Sequence, residues 1–399
     1  MNHGSRRLRQ AASVLALGGC MVAAPPAGAQ LTLRLTEVPA GTPPGASIYV
    51  AGGFNGWNPA APGYRMRAEG GGYVLTLPGE VRGPVEFKFT LGSWDTAEAD
   101  SARRDVPNRA FVVPASGAAT YAAAVAAWVD PATRPRPAST ATRGVAVMDT
   151  AFPVPQLGRT RRVWIYLPPD YAATDRRYPV LYMHDGQNLF DAATAFSGEW
   201  GVDEALDSLH AAGDPGVIVV GVDNGGQKRL DEYSPWKNAR YGGGEGDAYV
   251  DFLATTLKPY VDRRFRTRPG AGSTGIMGSS MGGLISLYAG LKYPEVFGRV
   301  GVFSPALWFA PAIFPYAAAA DPRRAGSRVY FATGGREGDQ PEVYVRDQER
   351  MLETLAASGF RGRNEVSAAI RPDGTHAEWF WRREFPDAYR WLFAGAPRP

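Results

Sequence analysis

Two patterns of apolar and polar positions divide the chain. Between residues 31 and 127, short alternating or β-rich runs recur at Leu31–Leu35, Ser47–Ala51, Tyr73–Leu77, Val85–Leu91 and Ala110–Val113. Clusters of Gly, Pro and Asn separate them, which predicts a small immunoglobulin-like β-sandwich. From Gly144 onward, compact apolar runs appear at Arg162–Leu167, Val180–Met183, Val217–Val222, Gly275–Met277, Val300–Phe303, Val329–Ala332 and Val366–Ile370. Between most of them, Asp203–His210, Asp247–Val261, Met281–Lys292 and Glu342–Ser358 carry apolar residues at i, i+3 and i+4, the helical period. Strands alternating with helices predict an α/β domain whose mostly parallel sheet is covered on both faces. The stretch Asp130–Thr142 is rich in Pro, Thr and Ala and has no period, so it reads as a linker. The expected division is 1–29, a β-sandwich over 30–128, a linker over 129–143 and the α/β domain over 144–396.

Composition changes this picture only at the N-terminus. The 399 residues are 45% hydrophobic and 21% charged, as in globular chains rather than disordered ones. The net charge of +4 owes much to Arg6, Arg7 and Arg9. The rest is nearly neutral, without the clustered basic face that nucleic-acid binding needs. A basic start, an apolar run from Ala11 to Ala24 and the small residues Ala27-Gly28-Ala29 read as a cleaved signal peptide, so export is expected. Leu17-Gly-Gly-Cys20 offers a second reading, a lipobox that would lipidate Cys20. Cys20 is the single cysteine, so cleavage after Ala29 leaves no thiol for a disulfide, a nucleophile or a metal. No later run approaches the ~20 apolar residues of a membrane span.

The segment Thr274-Gly-Ile-Met-Gly278-Ser279-Ser280-Met281-Gly282-Gly283 carries the chemistry. It is Gly-x-Ser-x-Gly with Ser280 at its centre, a β run before it and a helical run after it. A nucleophile on such a strand-to-helix turn needs small residues two before and two after it, so that the elements can approach. The helix start then offers N–H groups to a developing oxyanion. An α/β-hydrolase orders its triad Ser, acid, His. Of four histidines only His376 follows Ser280, in a loop after a late strand. The acid is expected after the penultimate strand, in Thr333-Gly-Gly-Arg-Glu337-Gly-Asp339. Glu337 is preferred because it is nearer the strand end, with Asp339 the alternative. The second oxyanion N–H is expected from Gln187, in the turn His184-Asp185-Gly186-Gln187, to partner that of Met281. His184 and Asp185 are expected to brace that turn rather than bind a metal, since no second cluster has ligand spacing. Trp308, near a strand end, is expected to line the site. Trp379 and Trp381 are expected to pack the last helix on the core.

On these residues the chain resembles the putative-esterase family of α/β-hydrolases. The resemblance runs over about residues 144–395. It rests on Arg162-Val-Trp-Ile-Tyr-Leu-Pro-Pro, His184-Asp-Gly-Gln-Asn-Leu-Phe, Gly221-Val-Asp-Asn224-Gly-Gly, Gly278-Ser-Ser-Met-Gly-Gly, Phe303-Ser-Pro-Ala-Leu-Trp and Gly374-Thr-His. It implies ester hydrolysis with Ser280 as nucleophile and His376 as base. It also implies substrate contacts at Asn224 and Trp308, and no cofactor or metal. The family includes feruloyl, acetyl-xylan and enterochelin-type esterases and some acyltransferases. Gly53-Phe-Asn-Gly-Trp57-Asn-Pro and Val85-Glu-Phe-Lys88-Phe-Thr-Leu-Gly-Ser-Trp94 resemble the glycogen-binding or isoamylase-N-terminal β-sandwich. That resemblance implies a glycan face of Trp57, Trp94, Lys88 and Asn108, although such sandwiches also serve as structural modules. The expected protein is an exported serine esterase acting on acyl esters of carbohydrate. A siderophore trilactone esterase, an acyltransferase and a non-catalytic carbohydrate-binding surface protein are the alternatives.

Overall fold

The computed structural model describes residues 30–104, 106–130, 138–196, 198–320, 326–338, 340–360 and 366–393. The expected signal segment, Cys20 and Asp339 lie outside them. The chain divides into two compact units, Met1–Arg134 and Pro135–Pro399.

The first unit holds β1 (Gln30–Glu37), β2 (Tyr49–Gly52), β3 (Arg67–Glu69), β4 (Gly72–Thr76), β5 (Gly83–Thr90), β6 (Glu98–Ala99), β7 (Arg109–Val113), β8 (Ala118–Ala124) and β9 (Ala127–Trp128). One sheet runs β3-β4-β1-β8, a second β2-β5-β7, and β6 pairs with β9. Alternate residues of the two larger sheets, Leu31, Leu33 and Leu35 from one and Val50, Phe87 and Phe89 from the other, share one core. This is the expected sandwich. Strand β8, Ala-Ala-Thr-Tyr-Ala-Ala-Ala, was not legible in the pattern. Alanine is a poor strand former, and its order comes from parallel pairing with β1.

The second unit is a three-layer α/β/α domain. Its eight-stranded sheet uses β10 (Val145–Val154), β11 (Arg159–Tyr166), β12 (Val180–His184), β13 (Ile218–Val222), β16 (Thr274–Ser279), β17 (Arg299–Phe303), β18 (Arg328–Arg336) and β19 (Val366–Thr375). The short pair β14 (Lys237–Asn238) and β15 (Gly242–Gly243) stands apart. The order is β10-β11-β13-β12-β16-β17-β18-β19. The strands from β13 to β19 pair in parallel, while β11 is antiparallel to both its neighbours. The helices are α1 (Val202–Ala211), α2 (Arg229–Glu232), α3 (Gly246–Phe252), α4 (Lys258–Arg264), α5 (Met281–Lys292), α6 (Ile313–Ala319), α7 (Pro341–Ala357) and α8 (Glu378–Phe393), with a π turn between α3 and α4.

Successive strand residues point to opposite faces, so one apolar run builds two cores. Val180 and Tyr182 join α3, α4, α5, α6 and α7 on one face. Leu181 and Met183 join α1 and α8 on the other. The edge strand β10 escaped the pattern because it is largely exposed and bulged near Asp149. Described residues at both ends of the expected linker are hydrogen-bonded. Val129 N–H bonds Ala97 O at 2.8 Å. At the other end, Ser139 Oγ donates to Asp191 at 2.8 Å and Thr142 N–H to Asp203 at 2.7 Å. Hydroxyls and amides here found carboxylate partners, which a composition argument cannot foresee.

Asp203, in the first turn of α1, is fully buried and its Oδ1 has no partner among the described residues. Burial pushes its carboxyl up to about 7. The unfolded chain, with an ordinary carboxyl near ~3.9, releases this proton first. Stability should therefore fall as pH rises from about 4 to about 7. Asp203→Asn should abolish that slope and raise stability at pH 8 by on the order of 2 kcal/mol. Denaturant titrations at pH 4.5 and pH 8 measure it; an unchanged slope would show that Asp203 is ionised throughout.

Candidate active site

The parallel strands share one direction, so their C-terminal ends form one edge of the sheet. Open α/β sheets bind ligands there, beside the point where strand order reverses. Here β12 is flanked by β13 on one side and β16 on the other. The first residue after β12 is Asp185, after β16 Ser280, after β17 Ser304, after β18 Glu337 and after β19 His376. Five polar side chains thus begin five loops along one sheet edge.

Three of these five have left-handed backbones. Asp185 has φ +56°, Ser280 φ +58° and Ser304 φ +40°. They are the only non-glycine residues with positive φ among the described residues of the second unit. Such a conformation costs an L-residue of order 1–3 kcal/mol and persists where its surroundings over-determine it. Ser280 is fixed by its N–H to Phe303 O at 2.9 Å and by its carbonyl, which accepts Ala306 N–H at 3.0 Å. The turn also requires glycine at 278. A Cβ there would lie 2.9 Å from the Gly282 backbone and from His184 Cδ2. Helix α5 then starts at Met281 and is buried on all sides, as its apolar sequence dictates.

The acid and the imidazole meet. Glu337 is wholly buried, and its Oε2 lies 2.9 Å from His376 Nδ1, whose side chain is 26% exposed. Its Oε1 accepts Gly334 N–H at 2.5 Å and Ser304 Oγ–H at 2.6 Å. The His376 ring touches Tyr344 of α7, at a centroid distance of 5.1 Å, and Trp381 of α8, edge-on at 5.3 Å. Burial, the larger effect, pushes the Tyr344 phenol up to about 12, and the neighbouring Trp308 indole opposes it. Trp308 is partly exposed and stands edge-on to Tyr241 at 5.8 Å. An aromatic wall therefore runs from His376 to the surface.

The turn after β12 sits beside the elbow because Met183 pairs with Met277 in register. Asp185 is held by Arg229 through two bonds of 2.7 and 2.9 Å, and by Asn224 Nδ2 at 2.7 Å. Burial is the largest single effect and raises this carboxyl, but the Arg229 charge and the hydrogen bonds from Arg229 and Asn224 together outweigh it and hold the group below its ordinary value. His184 Nδ1 meets Tyr249 Oη at 3.0 Å, and burial pushes the imidazole down to about 3. Both residues brace the turn. Asn224, expected at the substrate, has its amide committed to Asp185 and its Oδ1 to Gly226 N–H at 2.8 Å. Gln187 lies in the one-turn 3₁₀ segment Gly186–Asn188, and its Oε1 accepts Asn224 N–H at 3.3 Å.

Trp381 is buried as expected. Trp379 is instead half-exposed, its indole donating to Thr375 Oγ1 at 2.8 Å. One carboxylate trio among the described residues, Glu199, Asp203 and Glu204, brings oxygens within 4.8 Å of one another. Glu199 accepts Thr140 Oγ1–H at 2.9 Å, and Glu204 faces Arg382 at 4.0 Å. In the first unit Trp57 and Trp94 come together at 6.1 Å. Lys88 is buried, and Asn108 Nδ2 bonds Glu86 at 3.0 Å. Sequence reasoning missed Ser304, Arg229 and Tyr344. Only Ser304 carried a signal, its place at a strand end within Phe303-Ser-Pro.

A family model described as "Putative esterase" matches residues 155–392. The chain belongs to the putative-esterase family. Among its relatives, an uncharacterized protein of Bacillus subtilis, YbbA, is 28% identical over 244 residues, covering 58% of this chain and 92% of that one. The iron(III) enterobactin esterase of Dickeya dadantii is 28% identical over 258 residues, covering 60% and 53%. An endo-1,4-beta-xylanase/feruloyl esterase of Xylanibacter ruminicola is 26% identical over 235 residues, covering 57% and 28%. The chain thus spans about half of one named esterase and about a quarter of the other.

Proposed function

We propose that this putative-esterase family member is an exported serine esterase in which Ser280, His376 and Glu337 form the catalytic triad. The Glu337–His376 contact carries the reading. A buried carboxylate on Nδ1 keeps the proton there and leaves Nε2 as a base. Ser280 Oγ attacks the ester carbonyl carbon as its proton passes to Nε2. The N–H groups of Met281 and Gln187 hold the oxyanion. The ester C–O bond breaks, and His376 returns the proton to the departing alcohol. Water, losing a proton to His376, attacks the acyl-enzyme. The C–Oγ bond breaks, Ser280 regains the proton and the acid leaves.

The proposed substrate is an acyl ester of carbohydrate, feruloyl or acetyl. Two observations favour it. The aromatic wall of Tyr344, Trp308 and Tyr241 suits an aryl acyl group, and Trp57 and Trp94 bring two tilted aromatic rings together, apolar surface of the kind that sugar rings stack on. The relationship to an enterobactin esterase favours a second reading, a siderophore trilactone. Turnover of methyl ferulate, acetylated xylan, p-nitrophenyl acetate and a catecholate trilactone separates the two. The proposal expects ferulate or acetyl-xylan to have the highest kcat/KM. A trilactone preferred by a hundredfold would replace it, and no turnover of any would overturn the esterase reading.

A further inference from the structure

Ser304 is a polar residue in a strained, buried place. Its backbone has φ +40° and its side chain is fully enclosed. Its N–H is tied to Ala332 O at 2.7 Å, on the neighbouring strand β18. Its hydroxyl lies between two partners. Trp381 Nε1 donates to Ser304 Oγ at 2.8 Å. An indole nitrogen can only donate, so the hydroxyl must accept from it. The single hydroxyl proton is then left for Glu337 Oε1, 2.6 Å away. The direction of this relay is therefore fixed: Trp381 to Ser304 to Glu337.

The terminal torsion of a glutamate is broad and roughly two-fold, so packing alone does not fix the carboxylate plane. Two donors on one oxygen do. With Oε1 held by Ser304 and Gly334, Oε2 is left facing His376 Nδ1. Resting on the triad reading above, we infer that Ser304 is a positioning residue that orients the Glu337 carboxylate, with Trp381 setting the direction of its hydroxyl. This accounts for a serine at positive φ, where glycine would relieve the backbone but lose the donor. It also gives Trp381 two duties, since its ring packs edge-on against the same imidazole.

The test uses the full chain, with kcat and KM for p-nitrophenyl acetate and thermal unfolding. Ser304→Ala and Trp381→Phe are each made alone and on a Glu337→Gln background. Ser304→Ala should lose about tenfold to a hundredfold in kcat, the worth of a hydrogen bond to a charged acceptor, with KM unchanged. On the Glu337→Gln background the same change should cost less than about threefold, because Ser304 acts through the carboxylate. Trp381→Phe keeps a smaller buried aromatic ring and removes the donor. It should show a smaller loss with the same background dependence, and it carries the test if Ser304→Ala does not fold. Equal losses on both backgrounds would reduce Ser304 to a structural residue and overturn the inference. So would full kcat in Ser304→Ala while Ser280→Ala is inactive. Turnover by Ser280→Ala would overturn the triad reading itself, a separate failure.

Discussion

Glu337→Gln is expected to fold as the parent does and to lose about a thousandfold or more in kcat. The replacement is isosteric, and its amide oxygen can still accept from Ser304 and Gly334. The group facing His376 becomes an NH₂ donor. Nδ1 must then accept, and the imidazole proton moves to Nε2. The base that should take the Ser280 proton is occupied by its own. A change confined to tautomer leaves KM and thermal unfolding near parental values. Steady-state kinetics between pH 6 and pH 9 on the wild type and this variant check it. A loss below tenfold would mean that Glu337 does not hold the imidazole, and that Ser280 and His376 work as a dyad. The parallel change at Asp339, the other carboxylate of that loop, should leave kcat within a few-fold.

The strands were legible where both faces of the sheet are covered. Val180–Met183, Val217–Val222 and Val300–Phe303 carry no charged side chain, because their valine, isoleucine, leucine, methionine, tyrosine and phenylalanine side chains enter one core or the other. β10 was not legible because an exposed, bulged edge strand has no such constraint. The same contrast governs the site. Ser280 could be read because its turn leaves a signature in the chain: glycine at 278, where a Cβ would collide with His184 and Gly282. His376 followed from the shortage of histidines after residue 280. The choice of Glu337 came from its nearness to the strand end. Its side chain is buried because it turns inward to Ser304, Gly334 N–H and His376.

The supporting residues left no such trace. Arg229 reaches Asp185 from a helix 44 positions away in sequence, and Trp381 reaches Ser304 from 77 away. Nothing in the local pattern of either segment marks a polar partner. What the structure adds is a rule of placement: each loop leaving the sheet edge opens on a polar side chain, and three of those side chains sit on strained backbone. Strained backbone of this kind clusters at active sites, ligand clamps and switch regions.

The second large effect belongs to Ser280, and it tests the central claim most directly. Full-length protein and Ser280→Ala are compared for p-nitrophenyl acetate turnover and for covalent labelling by a fluorophosphonate, with the modified residue located by peptide mass spectrometry. Ser280→Ala removes the nucleophile and leaves the backbone hydrogen bonds of the turn. Alanine meets the same strained φ, so the fold persists with a thermal midpoint within a few degrees of the parent. The account predicts one phosphonyl group, on Ser280 of the parent alone. It also predicts turnover in the variant at least about 10⁵-fold lower, by analogy with other serine triads. A folded Ser280→Ala that still hydrolyses the ester within a hundredfold of the parent, or an adduct on another residue, would contradict it.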